Sequence, residues 1–404
     1  MSEKRQPPLD GVRVLEFGQV LAIPYAGMVL ADQGAEVIKI EPPTGEASRF
    51  YTPPELDGQS PYYLHANRNK LGLALDLKSD EGRAAVMAMA ANADVVLENY
   101  RAGVMDRLGI GYAALRAVNP GLVYCAVSGY GRSGPLADRA GYDPIAQAES
   151  GMMSMSGEKD GGPVRTGSSI VDMMTGVICA QAVTAALLAR GDGGEGQYIE
   201  ANLFGTAVNM LVNFAAQALL TGDNPSRGGN GSQAAQPSGV YASADGEFML
   251  TVGGEVQYRR FCEKVLERPE LADDPRFATN KARVDNRSEL TEALNAVFAT
   301  RPNAEWLASM QEHGVPAGEI NSIQGALNSE MAAAVGLVGS APHATLGELL
   351  TLMPSYALSG TPLRDPVAAP LLGQHTREVL AGVAGFDADR IEAMVAAGSA
   401  VEPG

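Results

Sequence analysis

The sequence predicts an α/β protein with a Rossmann-like large domain and a smaller α+β domain. Its 404 residues are more than one hydrophobic core usually organises. In the first half, short apolar runs alternate with helix-forming segments, which is typical of a parallel sheet covered by helices. A segment rich in Gly, Asn and Ser at 221–238 interrupts this alternation and indicates a boundary.

The chain opens with a predicted βαβ unit. Residues 12–17 and 37–41 are β-like, and 24–34 between them can form a helix. The alternation then continues through a helix-rich segment and two buried strands, at 80–92, 94–99 and 122–127. Together these segments predict a Rossmann-like layer.

A long Ala-rich helix at 172–190 precedes a strand at 197–202 and a helix at 203–220. Beyond the boundary, 239–252 is hairpin-like and several helices follow, while a helix signalled at 373–376 is expected to return to the first domain. The predicted division is therefore a large Rossmann-like domain, a small α+β domain and a returning C-terminal segment, at 1–220, 221–337 and 338–404.

Composition and charge exclude several classes of function. With 46% hydrophobic and 19% charged residues the chain is an ordinary globular protein, and no apolar stretch looks long enough to span a bilayer, so no membrane partner is expected. A net charge of -17 argues against nucleic-acid binding, and a phosphorylated ligand would need a local cluster of Arg and Lys. The polar N-terminal segment lacks an apolar signal core, which predicts a cytoplasmic protein.

No motif for a redox cofactor or a metal is present in the sequence. The first βα loop, 17–24, lacks the G-x-G-x-x-G that lets backbone approach a dinucleotide pyrophosphate. The four histidines are scattered without metal spacing. The three cysteines lie far apart and predict buried, reduced thiols: Cys125, Cys179 and Cys262.

Two segments stand out, and each allows two interpretations. The glycine-rich segment 128–135 follows a predicted strand, so it is either a ligand-binding loop or a mere connection. In 167–176, Asp172 follows a Gly/Ser loop at the opening of an apolar helix. Taken alone, Asp172 is either a helix N-cap or a functional carboxylate.

Read together, ordered motifs along nearly the whole chain resemble the class III CoA-transferase family (the CaiB/BaiF type), which also contains formyl-CoA transferases and the α-methylacyl-CoA racemases. The matching segments are 8–16 (PLDGVRVLE), 30–42 (LADQGAEVIKIEP), 69–70, 75–78, 98–101 with Arg107, 129–131, 141–143, the helix opening at Asp172, 359–362 (SGTP) and 372–376 (LGQHT).

The resemblance implies an interlocked homodimer that takes an acyl-CoA and a free carboxylic acid as substrates, without a metal or redox cofactor. Asp172 matches the family's nucleophilic aspartate, and 229–236 matches a mobile glycine loop that covers the intermediate, with Gln233, Ala234 and Ala235 as its substrate-facing residues. The resemblance places CoA against Val20, Leu21, Leu75, Asp76, Leu77, Lys78, Asn99, Tyr100, Arg101, Arg107, Arg139 and Tyr142. Lys78, Arg101 and Arg107 would supply the positive field that CoA phosphates need.

An ionised carboxylate needs no general base to attack a thioester, which suits a route through an aspartyl-CoA thioester. Family racemases carry His where this chain has Tyr142, and phenols lose their proton only near pH 10, so transfer is favoured over racemisation. Formyl-CoA transferases have glutamine at Leu21 and consecutive glycines at 232–235, so formate and oxalate are disfavoured. A racemase and a non-catalytic CoA-binding protein are the alternatives.

Overall fold

The computed structural model describes residues 6–403, which form two compact units. The larger unit contains the residues up to Gly151, Thr166–Ala215 and the residues from Glu330 onward. The smaller unit contains Met152–Arg165 and Ala216–Ser329. The short segment 152–165 therefore groups with the smaller unit, although it lies within 1–220 in sequence.

The strands are β1 Arg13–Glu16, β2 Glu36–Glu41, β3 Lys70–Leu75, β4 Val95–Glu98, β5 Val123–Ser128, β6 Tyr198–Asn202, β7 Ser238–Ala242, β8 Glu247–Thr251, β9 Ala317–Glu319, β10 Val338–His343, β11 Gly347–Leu352 and β12 Ala400–Val401. The helices are α1 Ala22–Asp32, α2 Pro61–Ala66, α3 Asp80–Ala90, α4 Val104–Arg107, α5 Tyr112–Val118, α6 Asp143–Glu149, α7 Met152–Met155, α8 Ile170–Arg190, α9 Leu203–Asn209, α10 Asn213–Thr221, α11 Gly254–Arg260, α12 Glu270–Asp273, α13 Asn280–Asp285, α14 Arg287–Phe298, α15 Asn303–Glu312, α16 Ile323–Leu327, α17 Glu330–Ala334, α18 Thr376–Gly382 and α19 Ala388–Ala396. A 3₁₀ turn, Ala47–Phe50, and a π-helical turn, Phe261–Val265, complete them.

A seven-stranded sheet organises the larger unit, with strand order β12-β3-β2-β1-β4-β5-β6. All neighbouring strands are parallel except β12, which pairs antiparallel with β3. The order from β3 to β6 is that of the Rossmann fold, so the chain reverses direction across the sheet between β1 and β4. The predicted α/β layer with a large parallel sheet is confirmed.

The sheet forms because its central strands are apolar along their whole length. Val14, Leu15, Val95 and Val96 are fully buried, as expected for parallel strands covered on both faces. Sequence patterning missed β3, whose apolar run is interrupted by Gly72. A β-carbon at Gly72 would lie 2.9 Å from the carbonyl oxygen of Leu371, so the glycine admits the returning C-terminal segment.

Helix α8 packs against α1 on one face of the sheet. A β-carbon at Gly176 would lie 2.6 Å from the carbonyl oxygen of Ala22, so the missing side chain lets the two helices approach closely. Among residues 6–403, α8 is by itself long and apolar enough to cross a membrane, which corrects the expectation of no such stretch. One side of α8 is buried, including Val171, Cys179 and Val183.

The predicted helix at 203–220 is two helices, because α9 ends at Asn209 and Val212 takes the left-handed conformation before α10 begins. The hairpin β10–β11 was also not predicted.

The smaller unit has its own core. Strands β7, β8 and β9 form an antiparallel sheet, which contains the hairpin predicted at 239–252. Phe298 lies at the centre of an aromatic cluster, with edge-to-face contacts to Phe248 at 4.9 Å and Trp306 at 5.3 Å between ring centroids.

Candidate active site

A cleft lies where the chain reverses direction across the large sheet. In doubly wound sheets this is the place where loops separate and ligands bind. The cavity has a volume of about 300 Å³ and is lined by residues that follow β1, β4 and β5 together with the start of α8: Gln19, Val20, Leu21, Ala22, Asn99, Tyr100, Arg101, Ala102, Val127, Ser128, Gly129, Ala137, Arg139, Ala140, Gly141, Tyr142, Asp172 and Leu203.

Asn99 joins the two central loops of the cleft. Its side-chain oxygen accepts a hydrogen bond from the backbone N–H of Gln19, and its amide donates to the carbonyl of the same residue, both at 2.9 Å. This two-point contact fixes the loop after β1 to the end of β4. Asn99 therefore shapes the wall of the cleft besides lining it.

Two glycines bring the other wall together. Gly129 follows β5, Gly141 precedes α6, and a β-carbon at Gly129 would lie 2.5 Å from the α-carbon of Gly141. The two loops touch through their backbones, so neither position has room for a side chain. The start of the glycine-rich segment, Ser128 and Gly129, is thus part of the cleft wall, and ligand binding by this segment stays a prediction.

Asp172 is the third residue of α8 and lies half-buried on the cleft wall. The hypothesis that Asp172 caps this helix is wrong, because the helix begins two residues earlier. The capping carboxylate belongs to Asp143, which accepts hydrogen bonds from the N–H groups of Val171 at 2.7 Å and Asp172 at 3.1 Å. The Asp172 carboxylate is therefore not needed as a cap.

Burial, together with the nearby carboxylate of Asp143, raises the pKa of Asp172 to about 7. An acid with such a pKa is a candidate for a functional site, since ordinary surface aspartates ionise near pH 4. Asp172 is therefore poised to change its charge around neutral pH.

Asp143 belongs to the motif 141–143, which by itself gave no indication of a capping role. Asp143 is buried, and its second oxygen accepts from the amide of Gln147 at 2.5 Å. Gln147 in turn accepts from the backbone N–H of Thr166 at 2.9 Å. This chain of contacts holds the Gly/Ser loop before α8. The only sequence signal for the role of Asp143 was an acid that follows Gly-Tyr at the start of a helix.

Two tyrosines outside the predicted set also lie near Asp172. Burial raises the pKa of Tyr62 to about 12; the hydrogen bond of Tyr62 to Ser169 opposes this rise, and the Asp172 carboxylate adds to it. The pKa of Tyr51 is also raised, chiefly by burial, and Asp172 contributes. The two rings stand 5.6 Å apart and line a neighbouring cavity of about 650 Å³ with Phe50, Thr52, Pro53, Pro54 and Pro61.

Seven of the residues predicted to contact CoA or to react line the cleft: Val20, Leu21, Asn99, Tyr100, Arg101, Tyr142 and Asp172. Arg139 also lines it, but its guanidinium is paired with Glu149 at 2.7 Å and stacks over Tyr130. The remaining residues predicted to contact CoA lie outside this cavity, at the end of β3, just after it, or in the short helix after β4: Leu75, Asp76, Leu77, Lys78 and Arg107.

Three of these residues provide positive charge at the carboxyl edge of the sheet. Lys78, Arg101 and Arg107 are exposed and form no ion pair within residues 6–403. Neighbouring cations are engaged: Arg132 pairs with Glu98 at 2.6 Å, for example. The acidic chain therefore presents uncompensated cations beside the cleft.

Gln233, Ala234 and Ala235 belong to the smaller unit. The hydroxyl of Ser232 accepts from the N–H groups of Ala234 and Ala235 at 3.2 and 3.1 Å, and the amide of Asn280 donates to the carbonyl of Ala234 at 2.8 Å. This segment is thus a folded turn anchored to α13. Its predicted role towards a substrate stays a prediction.

Comparison with known proteins adds the decisive observation. A family model described as CoA-transferase family III matches residues 9–376. The chain belongs to CoA-transferase family III. The resemblance seen in the motifs is confirmed, and the protein is a CoA-transferase family enzyme.

Relatives of this family III enzyme support the assignment. It is 38% identical over 392 residues to a succinyl-CoA:glutarate CoA-transferase of Mus musculus, covering 97% of this chain and 90% of the relative. It is 39% identical over 384 residues to a succinate–glutarate CoA-transferase of Agrobacterium fabrum, covering 93% and 96%. A crystal structure of a CaiB/BaiF family protein from Brucella suis superimposes with a TM-score of 0.85 at 35% identity, covering 94% of this chain and 100% of that one.

We expect the family III enzyme to lose activity on acidification with a midpoint near pH 7, because the carboxylate of Asp172, whose pKa is about 7, loses its negative charge there. Asp143→Asn removes the like charge but keeps an oxygen that can cap α8. The acid limb of the kcat/KM profile should then move down by about 1 pH unit.

Asp138→Asn serves as the control, since it removes one exposed carboxylate from the loop before α6. An unchanged acid limb in Asp143→Asn, measured with one acyl-CoA and acceptor pair, would contradict this account of Asp172.

Proposed function

We propose that this chain transfers CoA from an acyl-CoA to a free dicarboxylic acid through an aspartyl-CoA thioester on Asp172. The observation that carries the proposal is a carboxylate of raised pKa on the wall of a cleft at the sheet's reversal point. The Asp172 carboxylate is not needed as a helix cap, because Asp143 already accepts from the first N–H groups of α8.

The proposed chemistry is a series of exchanges in which charge is conserved. An Asp172 oxygen attacks the thioester carbonyl, the C–S bond breaks, and a mixed anhydride and CoA thiolate form. The thiolate attacks the Asp172 carbonyl of the anhydride, which releases the donor acid as a carboxylate and leaves aspartyl-CoA. The acceptor carboxylate then attacks this thioester, and the freed thiolate takes the acceptor acyl group, which restores Asp172.

The cations beside the cleft suit CoA. Lys78, Arg101 and Arg107 are free to pair with phosphates, and Arg presents a planar fork that matches phosphate oxygens. Val20 and Leu21 supply apolar surface on the opposite loop. CoA bound in this way would bring its thioester towards Asp172.

We propose a short dicarboxylate pair as donor and acceptor acids, with succinyl-CoA as the donor and glutarate among the acceptors. The two curated relatives compared above are named for succinate and glutarate. The cavity beside Tyr51 and Tyr62 offers room for a short acyl chain next to Asp172.

We further propose that the chain works as a homodimer, as the motifs implied, in the cytoplasm. Helix α8 exposes an apolar face, with Leu188 84% and Val177 42% accessible. Beside it lies a cavity of about 780 Å³ whose lining includes Met28, Met353 and Tyr356. An apolar face of this kind favours burial against another chain. A monomeric mass by light scattering, under conditions where the enzyme is fully active, would contradict the dimer.

The test is to incubate the protein with succinyl-CoA and a panel of acids, and to identify new thioesters by mass spectrometry. Glutaryl-CoA and related dicarboxyl thioesters are the expected products, with oxalate and formate as poor acceptors. Loss of an α-deuterium label from an acyl-CoA without any acceptor would instead indicate a racemase. Binding of CoA without any new thioester would indicate a non-catalytic binding protein.

A further inference from the structure

The loop between β1 and α1 holds a strained residue on the cleft wall. Val20 has φ = 65°, in the left-handed region that β-branched side chains rarely occupy. Such a conformation persists only where the surroundings over-determine it. The contacts that hold Val20 therefore also set the shape of the wall.

A buried carboxylate makes the contact with Val20. The backbone N–H of Val20 donates to an oxygen of Glu46 at 3.0 Å, and Glu46 is 1% exposed. The N–H of Ser48 donates to the same oxygen at 3.1 Å, and the hydroxyl of Ser48 donates to the other. Both oxygens of the Glu46 carboxylate are therefore held by Ser48, and one of them also accepts from Val20.

Lys39, a buried residue of β2, contacts the same loop. Its ammonium donates to the carbonyl of Gly18 at 2.9 Å and lies 3.6 Å from Glu46. With the Asn99 contacts to Gln19, three successive residues of the loop are each held by a side chain. Lys39 and Glu46 do not line the cleft, so neither would touch a ligand there.

We propose that Glu46, supported by Lys39, is a positioning residue that keeps the β1–α1 loop in the conformation shaping one wall of the CoA cleft. The proposal rests on the proposed function, which assigns CoA to this cleft. The proposal predicts that removing Glu46 weakens CoA binding, whereas the change in charge alone would strengthen it. Removing a negative charge near a polyanion site should tighten binding, whereas loss of positioning should weaken it.

The experiment measures CoA binding by titration calorimetry in Glu46→Ala, Val20→Gly and the double variant. Glu46→Ala should weaken CoA binding about tenfold, because Val20 can leave the left-handed region. Glycine takes that region without strain, so Glu46→Ala should cost about twofold or less when Val20→Gly is present. Glu36→Gln, which breaks the Arg13 pair in the same sheet, is the matched control and should leave binding unchanged.

Unchanged CoA binding in a folded Glu46→Ala variant would overturn the proposal, as would an equal loss with and without Val20→Gly. If Glu46→Ala does not fold, Glu46→Gln in the same two backgrounds takes its place. Amide hydrogen exchange of the Val20 N–H in the ligand-free protein gives a second readout, and fast exchange in the unmodified chain would also overturn it. If the protein binds CoA but forms no new thioester, the proposed transfer function is wrong, while the role of Glu46 in CoA binding can still be tested.

Discussion

Replacing Asp172 with alanine should abolish CoA transfer, with a loss in kcat of at least about 10⁴-fold, while CoA still binds. We expect a loss this large because Asp172 is the only carboxylate among the described residues that line the cleft, and removal of the proposed nucleophile would seldom be compensated. CoA affinity should change by no more than about threefold, since the cations beside the cleft remain. Turnover by mass spectrometry and binding by calorimetry check the two parts.

The matched control is Asp389→Ala, at an exposed aspartate in the first turn of α19. It removes a carboxylate by the same substitution from a residue that does not line the cleft, and it should leave transfer unchanged. Trapping with hydroxylamine in the presence of succinyl-CoA should mark Asp172 in the unmodified chain. Undiminished turnover in Asp172→Ala, or trapping at another residue, would remove the mechanism.

The raised pKa of Asp172 can also be tested through the free energy of unfolding of Asp172→Asn, measured by denaturant titration at several pH values. The folded-state pKa of Asp172 is raised to about 7, so folding opposes its ionisation. Between about pH 4 and pH 7 the folded state holds the proton that the unfolded state has lost, and stability falls as pH rises. The variant should therefore be more stable by about 1–2 kcal/mol at pH 8, after allowance for solvent screening, and show no gain at pH 4.

Removing both arginines at the carboxyl edge, in Arg101→Gln/Arg107→Gln, should raise the KM for acyl-CoA at least about 100-fold. Each charge-assisted contact to a phosphate contributes about 1.5–3 kcal/mol, and both side chains lack a protein partner within residues 6–403. The kcat at saturation should change little, because these contacts act equally on the bound ground state and the transition state. The remaining dependence of KM on salt concentration should be weaker.

Arg116→Gln/Arg377→Gln removes the same charge from two exposed sites whose arginines are paired with glutamates. This control should keep the KM within about twofold. An equal rise in both double variants would show that net charge matters and that the two edge arginines do not contact CoA.

The sequence predicted the large parallel sheet and the family, and it singled out Asp172 as the candidate nucleophile. The short apolar runs within 94–99 and 122–127 alternate with helix-forming segments, which predicts strands buried on both faces. Asp172 was identified because its surrounding motif lies within a short stretch of chain. The large parallel sheet and the family were confirmed, while the roles of Asp172 and the CoA-binding residues are still predictions.

The pKa of Asp172 and the shape of the cleft depend on contacts that form only in the folded protein. Asp143 lies 28 positions before Val171, whose N–H it accepts, and Glu46 lies 26 positions after Val20. Contacts across such separations depend on how β1, α6 and α8 pack, and no local periodicity encodes them. The physical reason is that burial and charge proximity, which set the pKa of Asp172 and hold Val20, exist only once distant segments share one interior.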